Sequence, residues 1–331
     1  MQPHEKFLRN HRKPLVAHQV ARLENQEDDV SALTFSQDGT VLIATGWPSR
    51  FWHEDQEGHW HLTRTLPGAF VAMQSDQRYL MVLKENTTLN RIELQDTTGA
   101  CLQTLSFFDK KTRYYGYFHD QKKFLTYDQE GWLSIWDGKT FQLETRCYYL
   151  PDTDRPYENI ALMRLTPDEH FLFFYYYGLI YRCRFDSDLL RVVPEGYVFQ
   201  RPTFRFDAED CQISPLGTVI AVAHSSESAI ELYEISSLQK LASFPVESPF
   251  RLAFSPDGRL LACVDDESKV FIWDVSTGQL MCTFLSHPGP SMEQMPSVVC
   301  IAWSPRGDII AIAGSLYEIK DFSIHLWKIE Y

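Results

Sequence analysis

The sequence FSPDG at residues 254–258, followed at once by the apolar run LLACV at 260–264, decides the fold. In such a segment the Ser and Asp side chains can hydrogen-bond the backbone just ahead, Pro presets φ, and Gly accepts a positive φ. A Pro-Asp-Gly turn between two apolar runs is typical of a β-hairpin. The segment therefore predicts two antiparallel strands joined at residues 255–258.

The same turn recurs along the chain. Its copies, from clear to weak, are WSPRG at 303–307, FSQDG at 35–39, ISPLG at 213–217, LTPDE at 165–169, QSDQ at 74–77 and FHDQ at 118–121. Their first turn residues stand at positions 36, 75, 119, 166, 214, 255 and 304, which are 39 to 49 residues apart. A period of this size indicates a repeat fold, and seven repeats are predicted.

Each repeat continues in the same way after the turn. A second apolar run, another turn and a third run follow, and a more polar fourth run ends the repeat. The third run ends near an aromatic residue in five repeats, and two other residues take the matching place in the remaining two. These residues are Trp52, Trp136, Tyr233, Trp273 and Trp327, with Leu94 and Cys183 in the two exceptions. Four short runs in each repeat predict one four-stranded antiparallel sheet per repeat.

The Phe-Ser-Pro-Asp-Gly turn, the Trp-Asp endings at 136–137 and 273–274, and the repeat length resemble the WD-repeat β-propellers over residues 14–331. The resemblance implies an all-β fold, a seven-bladed β-propeller of four-stranded antiparallel blades. It also implies that the blade aromatics pack one blade on another. Aromatic residues make up 14% of the chain, in agreement with a large β protein.

One feature of the family is degraded in this sequence. Members often carry a Gly-His pair before the first strand, and its His joins a buried network with an Asp and the blade Trp. No repeat has that pair here, since Ser286 precedes His287. The resemblance implies that Asp128 with Trp136, and Asp265 with Trp273, keep the other half of the network.

The two ends of the chain predict how the propeller closes. The seventh repeat stops after its third strand, while residues 15–23 before the first repeat look like an unpaired fourth strand. The simplest expectation is a ring closed by this N-terminal strand pairing with the last blade, which leaves only short, protected edges. Residues 1–13 are then a flexible basic extension, and 14–331 a single propeller domain.

Charge and composition exclude several classes of function. The net charge of −13 argues against nucleic acid and against an anionic membrane surface as partners. No apolar run approaches the ~18 residues that a membrane helix needs, and no secretory signal is expected at the N-terminus. Seven scattered cysteines without a C-x-x-C pair predict reduced, buried thiols and a cytoplasmic location.

Catalytic and cofactor motifs are not found in the sequence. There is no G-x-S-x-G elbow, phosphate loop or H-E-x-x-H, so we expect no enzyme, no catalytic residue and no cofactor. The acidic clusters at 27–29 and 265–267 are expected to be solvated turns. His53, His59 and His61 could supply three zinc ligands across a hairpin. The alternative, three exposed or half-buried histidines, is favoured because no further ligand is obviously placed.

The resemblance places partner binding on the face that carries the connections between blades and between second and third strands. Long connections lie at 149–158, 287–297 and 314–322, and the last two carry apolar residues that a loop does not need. The alternative is that these loops fold over the rim and bury their own apolar residues. The candidate contacts are Trp47, Arg113, Arg155, Tyr157, Tyr177, Arg205, His224, Arg251, Met292, Met295 and Tyr317. The predicted function is a non-enzymatic platform for a protein partner with a basic patch. The alternative is a propeller enzyme, or a binder of small molecules or metal, with its site at the central channel.

Overall fold

A computed structural model describes most of the chain. The described residues are 13–24, 30–73, 79–84, 90–96, 98–105, 112–117, 123–128, 130–148, 160–168, 170–176, 179–186, 191–199, 208–225, 227–287, 297–315 and 322–330. All regular secondary structure in these ranges is β-strand. The prediction of an all-β chain is therefore confirmed for the described residues.

Twenty-eight strands form within these ranges. They are β1 (Val16–Leu23), β2 (Ala32–Phe35), β3 (Val41–Thr45), β4 (Ser49–Glu54), β5 (Trp60–Leu66), β6 (Ala69–Met73), β7 (Tyr79–Lys84), β8 (Asn90–Gln95), β9 (Cys101–Leu105), β10 (Thr112–Tyr117), β11 (Lys123–Asp128), β12 (Trp132–Asp137), β13 (Leu143–Tyr148), β14 (Ile160–Leu165), β15 (Phe171–Tyr176), β16 (Leu179–Asp186), β17 (Arg191–Phe199), β18 (Ala208–Ile213), β19 (Val219–His224), β20 (Ala229–Glu234), β21 (Lys240–Pro245), β22 (Pro249–Phe254), β23 (Leu260–Asp265), β24 (Lys269–Asp274), β25 (Leu280–Leu285), β26 (Ser297–Trp303), β27 (Ile309–Ser315) and β28 (Ile324–Glu330).

The strands make four-stranded antiparallel sheets, one for each predicted repeat. Sheet 1 is β2–β5, sheet 2 is β6–β9, sheet 3 is β10–β13, sheet 4 is β14–β17, sheet 5 is β18–β21 and sheet 6 is β22–β25. Sheet 7 takes β26, β27 and β28 from the end of the chain and β1 from its beginning. Val16 is opposite Glu330 and Leu23 is opposite Ile324 in that last pair of strands. The predicted N-terminal strand thus pairs with the last repeat.

The sheets fall into two compact units. The first comprises Met1–Thr65 and Asp207–Tyr331, and so holds sheets 5, 6, 7 and 1; the second, Leu66–Phe206, holds sheets 2, 3 and 4. In the first unit, two alternate third-strand residues of sheets 5, 6 and 7 share an apolar cluster with the aromatic residue of the sheet that follows. These sets are Ile230, Leu232 and Trp273; Val270, Ile272 and Trp327; and Ile324, Leu326 and Trp52. The predicted packing role of these three tryptophans is confirmed.

The Ser-Pro-Asp-Gly turn has the hydrogen bonds that its composition predicts. Ser255 Oγ donates to Asp257 Oδ1 over 2.7 Å and accepts from Leu260 N over 2.9 Å. Asp257 Oδ1 also accepts from Arg259 N over 3.0 Å, and Gly258 has a φ of +69°. Because these contacts are local, the turn is specified by its own residues.

Turns of neighbouring sheets also meet within the first unit. A Cβ added to Gly39 would lie 2.9 Å from Ser304 Oγ and 3.0 Å from Arg306 Cγ, both in the first turn of sheet 7. Arg306 Nη1 lies 2.7 Å from Glu54 Oε2 at the end of β4. The turn of sheet 7 therefore packs closely on sheet 1, and it leaves room only for glycine at position 39.

In the second unit, one predicted position is shifted by a residue. A bulge between Leu94 and Gln95 places Gln95 opposite Cys101, just as a bulge after Ile272 places Trp273 opposite Leu280. Gln95, not Leu94, thus occupies the aromatic position of sheet 2, and the prediction of Leu94 is wrong. The register of the strands decides which residue corresponds to the blade aromatic. Leu94, an apolar residue one position earlier, resembles that residue in sequence but does not occupy its position. In sheet 4, the bulge confirms Cys183 at this position.

Candidate functional site

Of the eleven predicted contact residues, three have side chains that the structure describes: Trp47, His224 and Arg251. Arg113 is placed in β10, but its side chain is outside the described set. The other predicted contacts lie outside the described residues. They are Arg155, Tyr157, Tyr177, Arg205, Met292, Met295 and Tyr317. The role of all eleven in partner binding stays a prediction.

Trp47 lies in the connection between the second and third strands of sheet 1. It is half-buried and precedes Pro48 through a cis peptide bond. Next to it, the fully buried Ser49 hydroxyl donates to Gly46 O over 3.3 Å. The short turn thus holds Trp47 at the end of the sheet where the prediction places it.

His224 takes part in a buried polar network on one face of sheet 5. It ends β19 and is fully buried, with Nε2 3.4 Å from Glu231 Oε2. Tyr233 Oη and Lys240 Nζ both donate to the same Glu231 carboxylate. Burial would raise the pKa of Glu231, but the bonds from Lys240 and Tyr233 hold that pKa below its usual value. The network stabilises a carboxylate inside the sheet and places the His224 ring in the interior.

Arg251 connects sheets 5 and 6 at the same end. Its guanidinium lies 3.9 Å from the centroid of the Phe250 ring and donates to the carbonyl of Glu209 over 3.3 Å. Glu209 Oε1 in turn accepts from Ser225 Oγ over 3.0 Å, and Ser225 follows His224. Glu209 therefore links the neighbourhoods of two predicted contacts, His224 and Arg251.

Two of the three histidines of sheet 1, His59 and His61, lie beside the carboxylate of Asp55. His61 Nε2 lies 2.8 Å from Asp55 Oδ2, and His59 Nδ1 lies 3.7 Å from the same oxygen. The backbone N–H of His59, and then the His61 side chain, lower the pKa of Asp55 to about 2. Across the described ranges, no three His, Cys, Asp or Glu side chains are grouped as a metal site would require. The hypothesis that His53, His59 and His61 bind zinc gains no support from this geometry.

The acidic residues at 265–267 are only partly solvated. Asp265 is buried, and its Oδ1 accepts from Lys269 N over 2.7 Å. Burial raises the pKa of Asp265, and the charges of Asp266 and Glu267 act in the same direction. The prediction of a solvated turn is therefore wrong for Asp265, because its carboxylate caps the turn from inside. The cluster at 27–29 lies outside the described residues.

The expected network of Asp, His and Trp takes another form. In sheet 3, Trp136 Nε1 donates to Thr126 Oγ1 over 3.0 Å, while Asp128 accepts from the backbone of Trp132. In sheet 7, Trp327 Nε1 donates to Ser286 O over 3.1 Å. The His287 ring packs against that of His325, with ring centroids 4.2 Å apart and the ring planes tilted by 42°. The indole N–H of each of these two tryptophans thus donates to a partner that the resemblance did not imply.

The seven cysteines fall into three groups by exposure: four are buried, Cys147 and Cys282 are half-buried, and Cys101 is exposed. Cys183, Cys211, Cys263 and Cys300 are buried, and burial raises the pKa of Cys263 and raises that of Cys300 to about 12. The prediction of buried thiols is wrong for Cys101, which is exposed, because β9 is an outer strand. The thiols of Cys263 and Cys300 are accordingly unreactive at neutral pH.

A further group of residues was not identified from the sequence. Trp132 and Tyr148 stand directly opposite each other on β12 and β13, with ring centroids 5.2 Å apart and ring planes at 70°. The Arg146 guanidinium lies 4.6 Å from the centroid of the Trp132 ring and 2.9 Å from Asp128 Oδ2. Trp132, Arg146 and Tyr148 are called the sheet 3 aromatic patch below. An aromatic residue at the start of a third strand is the signal that could have located it.

Comparison with known protein families agrees with the sheets described above. The model "WD domain, G-beta repeat" matches residues 241–274 and 278–328, which cover β22 to β27 and most of β21 and β28. A search of curated proteins finds no match. In the part of the chain that the structure describes, no helix has the length and apolarity to cross a membrane. The repeat matches over residues 241–328, together with antiparallel four-stranded sheets throughout the described chain, support a WD-repeat family for this protein.

Proposed function

We propose that the seven sheets form one seven-bladed ring and that the ring is a non-enzymatic platform for protein partners. WD40 repeats generally mediate protein–protein interaction, and the repeat matches are the observation that carries the proposal. The pairing of β1 with β28 supports the ring, because it joins the beginning and the end of the chain in one sheet. A rigid frame of this kind holds several connections in fixed positions for a partner.

The chemistry of the partner follows from charge. With a net charge of −13, the chain attracts a surface of opposite sign, and complementary fields speed the encounter of two proteins. We therefore propose a partner with a basic patch, which binds near Trp47 and Arg251 at the ends of sheets 1 and 6. The same charge disfavours nucleic acid. The proposed location is the cytoplasm, based on seven cysteines without a disulfide-like pattern.

Affinity purification of the tagged full chain tests the proposal. Proteins that co-purify are identified by quantitative mass spectrometry, then expressed and mixed with the pure chain to measure direct binding. We expect a partner that binds directly, and binding that weakens as salt is raised, because exposed charges are screened. Failure to recover a direct partner, together with turnover of a small molecule by the pure chain, would overturn the platform in favour of an enzyme.

A further inference from the structure

The sheet 3 aromatic patch offers an exposed surface of the residue types that dominate protein interfaces. Tyr148 is 56% exposed, and the Arg146 side chain is 45% exposed, while Trp132 is half-buried. Trp, Tyr and Arg are enriched among binding hot spots, because each presents a large rigid or semi-rigid surface with a polar group. Asp128, which accepts from Arg146 and from the backbone of Trp132, fixes the group at the end of the hairpin.

The fold itself does not require aromatic residues at these positions. In sheet 6, Asp265 caps the same turn by accepting from Lys269 N, and Lys269 stands opposite Leu285. In sheet 5, the matching cross-strand pair is Ala229 and Pro245. The turn and the strand pair therefore form with aliphatic or charged residues. The Trp132–Tyr148 pair in sheet 3, with Tyr148 exposed and Trp132 half-buried, presents apolar surface to water that the sheet does not need.

Each polar group of the patch can donate a hydrogen bond, and the Tyr148 hydroxyl can also accept one. Within the described chain, no acceptor lies in hydrogen-bonding distance of Trp132 Nε1 or of the Tyr148 hydroxyl. Arg146 carries five N–H groups, of which its bond to Asp128 engages Nη2. A ligand that fits must therefore supply acceptors beside an apolar surface that can lie against aromatic rings.

We propose that this patch binds a proline-rich, extended segment of a partner protein. A polyproline II helix makes no internal hydrogen bonds, so its carbonyls are free to accept, and proline contributes no N–H that would need a partner. Its rings pack on aromatic side chains, and its preformed shape loses little entropy on binding. The inference rests on the proposed platform function and names one surface and one kind of partner for it.

The charge of the patch favours this occupant over an acidic one. The Arg146 guanidinium is already paired with Asp128 over 2.9 Å, so the pair carries no net charge to attract an anion. A neutral segment rich in carbonyl acceptors matches the remaining donors. An acidic peptide would have to compete with Asp128 for the same guanidinium. Binding of an acidic peptide is therefore tested directly, with the glutamate peptide below.

The test uses the ¹⁵N-labelled full chain and follows the indole N–H signals of its eight tryptophans. The signal of Trp132 is the one missing from Trp132→Phe. Three probes are titrated: a proline decapeptide, a glycine–serine decapeptide and a glutamate decapeptide. We expect the proline peptide to shift the Trp132 signal saturably and the other two to leave it in place.

Variants measure how much each group contributes. Trp132→Ala should lower the affinity for the proline peptide about tenfold or more, as expected for a hot-spot aromatic. Tyr148→Phe keeps the ring and loses one hydrogen bond, so the affinity for the proline peptide should fall about fivefold. Leu285→Ala, at the matching position of sheet 6, is the control and should leave affinity unchanged. If Trp132→Ala does not fold, judged by the other indole signals, Tyr148→Phe decides.

Several outcomes overturn the inference. They are no shift with the proline peptide, an equal shift with the glycine–serine peptide, a shift with the glutamate peptide alone, or unchanged affinity in both patch variants. The proposed platform is judged separately. If a purified partner binds the full chain and Trp132→Ala equally well, the platform stands and the proline-rich site fails. If no direct partner is recovered and the pure chain turns over a small molecule, the platform itself fails.

Discussion

Gly39 and Gly58 both have positive φ, +73° and +85°, but their surroundings differ. A Cβ on Gly39 would press on Ser304 and Arg306 of sheet 7, whereas a Cβ on Gly58 would meet nothing within 4 Å. The two glycines therefore separate the cost of the backbone conformation from the cost of sheet packing. This makes them a matched pair for mutation.

We predict that Gly39→Ala destabilises the chain more than Gly58→Ala does. Forcing an L-residue into the left-handed region costs about 1–2 kcal/mol, and this applies to both variants. At position 39 the clash with sheet 7 adds about 1–3 kcal/mol, typical of an overpacked contact. Urea denaturation of the three proteins measures the difference in the free energy of unfolding. Equal losses would show that the close approach of the two turns contributes nothing.

Asp55 provides a prediction of pH dependence. Bonds from the His59 backbone and the His61 side chain lower its pKa to about 2, against 3.8 in an ordinary aspartate. Because the folded pKa is the lower one, the stabilisation is complete above about pH 4 and is lost as pH falls towards 2. Carboxyl ¹³C NMR should give a midpoint near 2 for Asp55.

His61→Ala should raise that midpoint, because it removes one donor to the Asp55 carboxylate. Asp38 is the control within the same spectrum. Its pKa is also about 2, but the bonds that lower it come from Ser36 and Thr40. A midpoint for Asp38 that moves along with Asp55 would contradict the local cause.

At the scale of the element, the first turns of sheets 5 and 6 differ at one residue. Sheet 6 has Asp257, which accepts from Ser255 Oγ and Arg259 N. Sheet 5 has Leu216 in that place, and it is 73% exposed, although Ser214 Oγ still accepts from Val219 N over 3.1 Å. The turn of sheet 5 therefore forms with one of its two side-chain caps missing.

We predict that Leu216→Asp stabilises the chain by about 0.5–1.5 kcal/mol, the usual contribution of a hydrogen bond. The new carboxylate would accept from Ser214 and Thr218, as Asp257 does from its counterparts, and an exposed leucine would be removed. The reverse change, Asp257→Leu, should cost a similar amount. Thermal unfolding of both variants measures the effect. A loss of stability in Leu216→Asp would mean that the leucine makes a contact the turn needs.

The turns and blade aromatics could be predicted because their chemistry is local or periodic. Ser255 and Asp257 form hydrogen bonds with residues at most five positions away. An aromatic residue such as Trp273 recurs at the corresponding position of five repeats. The shift from Leu94 to Gln95 could not be predicted, since it depends on a bulge between two strands. The pairing of Trp132 with Tyr148 depends on register in the same way. Such cross-strand contacts appear only when the sheet is built.

At the scale of the molecule, the two ends of the chain meet in sheet 7. β1 pairs with β28 along its length, and Leu15 N donates to Met281 O of sheet 6 over 3.0 Å. Leu15 belongs to the apolar cluster of sheets 6 and 7, and Leu23 to that of sheets 7 and 1. A strand from the start of the sequence thus takes part in two cores formed with strands from its end.

We predict that removing residues 1–24 greatly destabilises the chain, while removing residues 1–12 does not. Without β1, the edge of β28 is exposed and both clusters lose a leucine, and each buried leucine alone contributes about 2–5 kcal/mol. Thermal unfolding followed by circular dichroism compares the two truncations with the full chain. The shorter truncation tests the expectation that the first residues are a separate extension.

A synthetic peptide of residues 13–24 distinguishes loss of the strand from damage caused by shortening the chain. Added in excess to the longer truncation, it should raise the unfolding temperature in a concentration-dependent way, because it binds only the folded chain. A peptide with Leu15 and Leu23 changed to Ala should act far more weakly, since these two side chains enter the two clusters. If the truncated chain is as stable as the full one, β1 is not the strand that closes the proposed ring.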